Sequence, residues 1–175
     1  MFKTLIQAMI ILLGINLITL PSYSQPICTE DINQLTKQLL EDLPNYTNRV
    51  IRGAQPLDIS NLQIRHIIAV SQPEFEPLPL PQLQYTRVFD DSPTQIFFTT
   101  LERIYVQNRG VETQGFHWLF LVETQQGWDF FFLFSANQSN QLLTPPRESN
   151  QSAIASAIRL WLRDYYYSCL DDTIR

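Results

Sequence analysis

The chain contains little of what catalytic and nucleotide-binding sites are usually built from. Its 175 residues include five glycines, two histidines and two cysteines. No glycine-rich segment of the kind that cradles phosphate groups is present, and the cysteines lack the close spacing of a redox motif or a zinc site. The sequence therefore predicts no phosphate-binding loop, no metal site and no cofactor.

Positive charge is also scarce, and it is scattered. Twelve Lys and Arg residues stand against 17 Asp and Glu residues, which gives a net charge of −5 at pH 7. Nucleic-acid binding depends on a basic stripe that neutralises phosphates, and this sequence has none. We therefore exclude nucleic acid as a partner. An anionic membrane surface is disfavoured for the same electrostatic reason.

The first 24 residues have the pattern of an export signal. Lys3 precedes an apolar stretch over residues 5–20, and the small residue Ser24 follows it. Cleavage after Ser24 would leave one domain, residues 25–175, in the periplasm, the thylakoid lumen or the extracellular space. The alternative is an uncleaved anchor, since a spanning helix needs about 20 apolar residues. Polar residues and a proline interrupt the stretch, so we expect cleavage and no stable membrane span in the mature chain.

The two cysteines predict a disulfide that ties the ends of the domain together. Exported proteins mature where disulfides persist, and Cys28 and Cys169 each fall in line with the apolar stripe of a predicted terminal helix. The stripes comprise Ile32, Leu35, Leu39, Leu40 and Leu43 after the first cysteine, and Ile154, Ile158, Trp161, Leu162 and Tyr165 before the second. Packing the stripes together would bring the sulfur atoms close.

Between the terminal helices the sequence mostly favours strands. The first helix is predicted from near Thr29 to Pro44, and strands follow over 46–51 and 63–71. Residues 92–106 combine a helix-capping pattern with β-branched and aromatic content, and the latter favours a strand. The segment from Gln72 to Pro81 holds four prolines and should be an extended crossing segment.

The clearest β pattern is a hairpin around Gln125-Gln126-Gly127, with the glycine in a left-handed conformation. The predicted register places Trp118, Phe120 and Val122 opposite Phe134, Phe132 and Phe130 on one face, with Leu119, Leu121, Phe131 and Leu133 on the other. Both faces are apolar, which predicts a central hairpin covered on both sides. The helices can cover one face. The second cover could be the proline segment, a partner chain or a buried ligand.

Together these elements predict an α+β domain. It would contain a mostly antiparallel sheet of about five or six strands, with the N- and C-terminal helices packed together on one face. Ser149 or Ser152 is expected to cap the last helix. We interpret the opposite face, with Trp118, Phe120 and Phe132, as a binding surface for a protein partner or a small apolar ligand. A structural envelope component is the alternative if the domain self-associates.

The proline segment carries two carboxylates on either side of an aromatic residue. Glu74 and Glu76 flank Phe75, and on an extended chain both carboxylates point the same way. Arg103 and Arg147 are candidate partners, because an arginine fork matches a carboxylate. Such pairing would fix the segment over the hairpin. Without it, the segment would be a lid or would present Phe75 for docking.

An enzyme remains an alternative, in the form of a hydrolase that uses a carboxylate or His117. His66 and His117 both lie in predicted strands, away from the glycine-rich elbow that exposes a nucleophile. Glu123 and Asp129 would face each other near the hairpin tip, where they could bind Ca²⁺ or act as acid and base. Paired carboxylates at turns are more often solvated, so we predict no catalytic residue.

Several phrases resemble a group of small, uncharacterised, exported cyanobacterial proteins. They are Leu43-Pro44-Asn45-Tyr46 with Asn48-Arg49-Val50, Pro73-Glu74-Phe75-Glu76-Pro77-Leu78, Phe97-Phe98-Thr99-Thr100-Leu101-Glu102-Arg103, Trp118-Leu119-Phe120-Leu121, Gly127-Trp128, Pro145-Pro146-Arg147-Glu148-Ser149 and Ile158-Arg159-Leu160-Trp161-Leu162-Arg163-Asp164. The resemblance spans most of the mature chain and implies an export route. It implies no activity, cofactor or catalytic residue.

Overall fold

A sheet and two long helices make up the described part of the chain. The computed structural model describes residues 31–54, 64–75, 93–106, 109–139 and 142–174. The elements are α1 (Ile32–Gly53), β1 (Ile64–Val70), β2 (Thr94–Val106), β3 (Arg109–Thr124), β4 (Gly127–Ser139), β5 (Leu142–Leu143), β6 (Arg147–Glu148) and α2 (Ala153–Ile174). The predicted α+β class is confirmed.

The sheet is antiparallel at every pairing between its named strands. Its order is β1-β2-β3-β4-β5, and β6 also pairs with β4. The two short strands β5 and β6 lie along the edge of β4 that faces away from β3. The prediction of five or six antiparallel strands is confirmed, and residues 94–106 form a strand, as favoured.

Both helices pack on one face of the sheet, which we call the helix face. Helix α1 contacts α2 and β1, and α2 contacts β4. The core between them is formed by Leu35, Leu39, Leu40, Leu43, Ile67, Ile96, Phe98, Leu119, Leu121, Leu133, Ile154, Ala155, Ala157, Ile158, Trp161 and Leu162. These residues recur at helical spacing in the helices and at every second position in β2 and β3, which is why the elements form where they do.

Polar contacts at the helix ends and between the helices fix this packing. Asp31 is the N-cap of α1, and the Ser152 hydroxyl accepts from the Ala155 N–H at 3.1 Å in α2. The indole N–H of Trp161 donates to Asp42 at 2.8 Å, across the two helices. A buried tryptophan N–H needs such an acceptor.

Helix α1 runs further than predicted. Pro44 lies inside the helix instead of ending it, so residues 46–51, predicted as a strand, are helical. Proline lacks the N–H that would bond the preceding turn, but its φ is compatible with a helix. Beyond it Thr47 is fully buried, and Tyr46 and Val50 pack against the core. We infer that this burial outweighs the lost hydrogen bond.

A side chain from α1 binds the backbone of β1 at one point. Asn48 donates to the Ile67 carbonyl and accepts from the Ile67 N–H, both at 2.9 Å. Its amide thus takes the place of a neighbouring strand at that point of β1. Edge strands otherwise present unpaired backbone groups to other chains. This contact fixes α1 against β1.

The β3–β4 hairpin keeps the predicted register only up to Phe120. The pairs Trp118–Phe134, Leu119–Leu133 and Phe120–Phe132 are as predicted. A β-bulge follows, with Phe131 as the extra residue, so Phe130 pairs with Leu121 on the helix face. The predicted placements of Phe130 and Phe131 are therefore wrong. Phe130 packs against the core beneath the Arg159 guanidinium, and Phe131 is 56% exposed.

The same bulge separates the two carboxylates predicted to face each other. Asp129 pairs with Val122, and Glu123 pairs with Trp128. The hairpin loop is one residue shorter than predicted, because Gly127 pairs with Thr124. Gly127 has a positive φ of 121°, the range that favours glycine, as the sequence predicted.

Several predictions concern residues outside the described ranges. They are the signal segment 1–24, Cys28, Thr29 as a cap, and the proline segment from Glu76 onward. Within the described residues, neither helix is long and apolar enough to cross a bilayer.

Candidate functional site

The sheet face opposite the helices carries a cluster of aromatic side chains, which we call the aromatic face. Successive residues of a strand point to opposite sides, so alternate positions of β2, β3 and β4 meet there. Its members are Phe97, Phe116, Trp118, Phe120, Phe132 and Phe134. The structure thus brings together Trp118, Phe120 and Phe132, the three aromatic residues that the sequence assigned to a binding surface.

The rings of the aromatic face contact one another in two groups around Trp118. Its ring centroid lies 5.1 Å from that of Phe97, which lies 6.5 Å from that of Phe116. On the other side Phe134 lies 5.2 Å from Phe132 and 6.2 Å from Phe120, centroid to centroid. These separations are typical of interacting aromatic pairs. The register places Trp118 opposite Phe134, which joins the two groups into one surface.

The aromatic face is only partly removed from water. Trp118 is 4% exposed, whereas the five surrounding phenylalanines are half-buried. Neither described helix covers this face, because the core-lining side chains of both helices pack against the helix face. Contiguous apolar surface of this kind marks interaction sites in many proteins.

The described start of the proline segment is attached beside the aromatic face. Glu74 forms a β-bridge with Phe97, and its N–H donates to the Phe97 carbonyl at 2.8 Å. The next residue, Phe75, is 46% exposed. The residues predicted to form a docking segment or lid therefore begin at the edge of this surface.

The arginines predicted to pair with this segment lie elsewhere. Arg103 is six residues from Phe97 along β2, a distance of about 20 Å, and it donates to Glu112 of β3 at 2.6 Å. Arg147 lies in β6, at the edge of the sheet opposite to Glu74. The structure therefore does not bring Glu74 together with Arg103 or Arg147, and Glu76 lies outside the described residues.

A polar cluster with a buried centre crosses the helix face, and sequence reasoning missed most of it. We call it the histidine network: Arg65, Glu102, Thr100, His117, Ser135 and Ser149. The Nε2 atom of His117 lies 2.9 Å from the Thr100 hydroxyl, and Nδ1 lies 2.8 Å from the Ser135 hydroxyl. Thr100 donates to Glu102 at 3.1 Å, and Arg65 donates to the other oxygen of Glu102 at 2.9 Å. The network joins β1, β2, β3 and β4.

Burial determines the charge state of His117. The side chain is 3% exposed and stacks on Phe98 with ring centroids 5.0 Å apart. Removal from water lowers the pKa of His117 to about 3, so the ring is neutral at pH 7. Because a general base works best with a pKa near the working pH, this histidine is poorly matched to catalysis. Its observed contacts, to Thr100 of β2 and Ser135 of β4, hold strands together.

Gly115 makes room for the network. A Cβ atom at this position would lie 2.6 Å from the Thr100 hydroxyl, 2.7 Å from His117 Nε2 and 3.1 Å from Glu102 Oε1. The first two distances are too short for a real side chain. The alternation of buried positions along β3 was visible in the sequence. The partners of His117 were not, because they depend on the register between β2 and β3.

Within the described ranges, no group of three or more His, Cys, Asp or Glu side chains is arranged to bind a metal ion. The chain matches no protein-family model, and comparison with curated proteins and with solved structures finds no significant match.

Proposed function

We propose that this protein is an exported binding domain that takes up a small apolar ligand on its aromatic face. The observation that supports this most is the set of six aromatic side chains on the sheet face opposite both helices. Five of them remain half-exposed to their surroundings, and none of the six carries a charge. Burial of such surface is the main source of affinity for apolar ligands.

The arrangement of Trp118 favours a small ligand over a protein partner. Protein interfaces usually depend on protruding Trp, Tyr or Arg anchors that enter a pocket of the partner. Here the tryptophan is only 4% exposed and lies among phenylalanine rings that stand around it. This geometry suits a surface that receives a ligand. A protein partner is the competing outcome of the experiment below.

Export and a disulfide between Cys28 and Cys169 are part of the proposal. Export is supported by the signal-like pattern of residues 1–24 and by the resemblance to small exported cyanobacterial proteins. The disulfide is supported by the position of Cys169 within α2 and by the packing of α2 against α1, the helix that follows Cys28 in the sequence. Non-reducing mass spectrometry of the mature protein should find two hydrogens fewer than the reduced chain.

We do not extend the proposal to hydrolysis. The Ser135–His117 contact has the donor–acceptor distance of a nucleophile and its base. However, His117 is buried with a lowered pKa, and the Ser135 oxygen is also bonded to Ser149 at 2.7 Å. Both facts favour a structural role for this pair.

The experiment is a binding titration of the mature protein with Nile red, a neutral apolar dye whose fluorescence rises out of water. We expect saturable binding with one dominant site. Phe132→Ala should weaken binding about tenfold, since it removes an aromatic contact from the ligand surface. Phe130→Ala is the matched control, because Phe130 is a half-buried phenylalanine of the same strand that faces the helices.

Two results would contradict the proposal. One is the absence of saturable binding by a folded protein, and the other is an equal loss of affinity in Phe130→Ala and Phe132→Ala. Native mass spectrometry of protein purified from its own source adds the identity of the occupant. A bound small molecule supports the proposal, whereas a bound polypeptide on the aromatic face would replace it with protein recognition.

A further inference from the structure

The hydrogen bonds of the histidine network have a direction that can be deduced from its charged end. Glu102 is 3% exposed and accepts from the Arg65 guanidinium at 2.9 Å, and the carboxylate of such an ion pair can only accept. The Thr100 hydroxyl lies 3.1 Å from the other carboxylate oxygen and must give its single proton to it. Towards His117 Nε2, at 2.9 Å, the Thr100 oxygen can then only accept.

This assignment fixes the tautomer of His117. A neutral imidazole has one N–H, and the Thr100 contact places that hydrogen on Nε2. Nδ1 is therefore an acceptor, and Ser135 donates to it across 2.8 Å. Ser149, at 2.7 Å, donates to Ser135 in turn. The protons of the network thus point from Ser149 through His117 to Glu102.

Ser149 provides a second arrangement of the same atoms. Its hydroxyl oxygen lies 3.2 Å from the Leu133 carbonyl, which is an alternative acceptor for its proton. If Nδ1 carries a hydrogen, Ser135 can accept from it and donate to Ser149. Ser149 then donates to Leu133. When Nε2 also keeps its hydrogen, every group has a partner and no heavy atom has to move.

We propose that the histidine network switches between two arrangements of its hydrogen bonds. Glu102 sets the direction in which the groups of the network donate, and the Ser149 hydroxyl allows that direction to reverse. One state has the hydrogen of His117 on Nε2, and the other has a hydrogen on Nδ1. Acid adds one proton to Nδ1 while Nε2 keeps its hydrogen, so it reverses the Ser135–Ser149 part of the network and leaves the Thr100–Glu102 part unchanged.

Glu102 is the charged group that decides the direction of the hydrogen bonds in the histidine network. In the described part of the network, Glu102 and its partner Arg65 are the charged members, and the remaining partners of His117 are hydroxyl groups. The buried side chains that both helices turn towards the sheet are apolar or threonine. The switch is independent of the binding function proposed above.

The test uses Glu102→Gln, which should reverse the hydrogen bonds of the network at neutral pH without adding a proton to His117. The glutamine should turn its carbonyl oxygen towards Arg65 and its NH₂ towards Thr100, because Arg65 only donates. Thr100 would then accept from the amide and donate to Nε2. We expect long-range ¹H–¹⁵N correlation spectra to show the Nε2–H tautomer in the wild-type protein and the Nδ1–H tautomer in the variant.

Glu112→Gln is the matched control. It makes the same change in an exposed ion pair, with Arg103, and should leave the tautomer unchanged. His66→Gln assigns the spectra by removing the other histidine signals. An Nδ1–H tautomer in the wild-type protein would overturn the assignment of direction, and a folded Glu102→Gln variant that keeps Nε2–H would overturn the role of Glu102.

Discussion

The two faces of the sheet differ in how completely their apolar side chains leave water. On the helix face, Ile96, Phe98, Leu119 and Leu121 are fully buried, and the polar groups among them are hydrogen-bonded across strands. On the aromatic face, five phenylalanines stay half-buried around one tryptophan. Since burial is the main source of folding free energy, the helix face should determine stability, while the aromatic face is the surface on which we propose binding.

The sharpest test of this comparison exchanges one phenylalanine for alanine on each face. Phe98→Ala removes a fully buried ring and should cost about 3–5 kcal/mol of the free energy of unfolding. Phe120→Ala removes a half-buried ring from the adjacent strand and should cost less than half as much. Urea denaturation measures both, and the Nile red titration should give the reverse order of effects.

Equal losses of stability in the two variants would contradict the division between the faces. So would unchanged dye binding in Phe120→Ala. If Phe98→Ala is too unstable to purify, Leu119→Val gives a smaller change at a fully buried position of the helix face, expected at about 1 kcal/mol.

The second test uses pH, because the helix face contains a buried neutral histidine. The pKa of His117 is about 3 in the folded protein, against 6.5 for an unperturbed histidine. Between these values the unfolded chain binds more protons than the folded one. The contribution of His117 to stability is therefore complete above pH 6.5 and is lost as the pH falls towards 3, by at most about 1.4 kcal/mol per pH unit.

His117→Gln should flatten this dependence, since glutamine can donate and accept but does not titrate. The measurement is the free energy of unfolding at several pH values between 7 and 4, roughly the window set by the two pKa values. His66→Gln is the control and should keep the wild-type slope. Parallel slopes for the wild-type protein and His117→Gln would show that His117 is not buried in the neutral form.

The sequence predicted the architecture well where hydrophobic alternation was unambiguous. The apolar stripes of both helices and the alternation along β3 indicated the α+β class and the aromatic face. Pro44 misled the prediction because the burial of Tyr46 and Val50 against the core favours a helix beyond the proline. That burial comes from packing, which local pattern does not report.

The aromatic face and the histidine network were harder to predict than the fold. Which residues belong to each depends on the register between neighbouring strands. Phe130-Phe131-Phe132 is apolar at each position, so a one-residue shift leaves the pattern looking the same. Nothing in that pattern therefore indicates the bulge that moves Phe130 to the helix face. In the same way, Thr100 and Ser135 look like ordinary strand residues until pairing places them on either side of His117.

The smallest expected effect concerns the space beside His117. Gly115→Ala would place a methyl group 2.6 Å from the Thr100 hydroxyl and 2.7 Å from His117 Nε2, so the network must shift. We expect a loss of about 1–3 kcal/mol in the free energy of unfolding. Gly53→Ala is the matched control, since a methyl group added there, at the end of α1, would meet no other part of the described structure within 4 Å. It should leave stability unchanged or raise it by up to about 1 kcal/mol, because alanine restricts the unfolded chain. If Gly115→Ala costs no more stability than Gly53→Ala, the polar groups of the helix face are held less tightly than its apolar core. The contrast between the two faces would then rest on the aliphatic side chains alone.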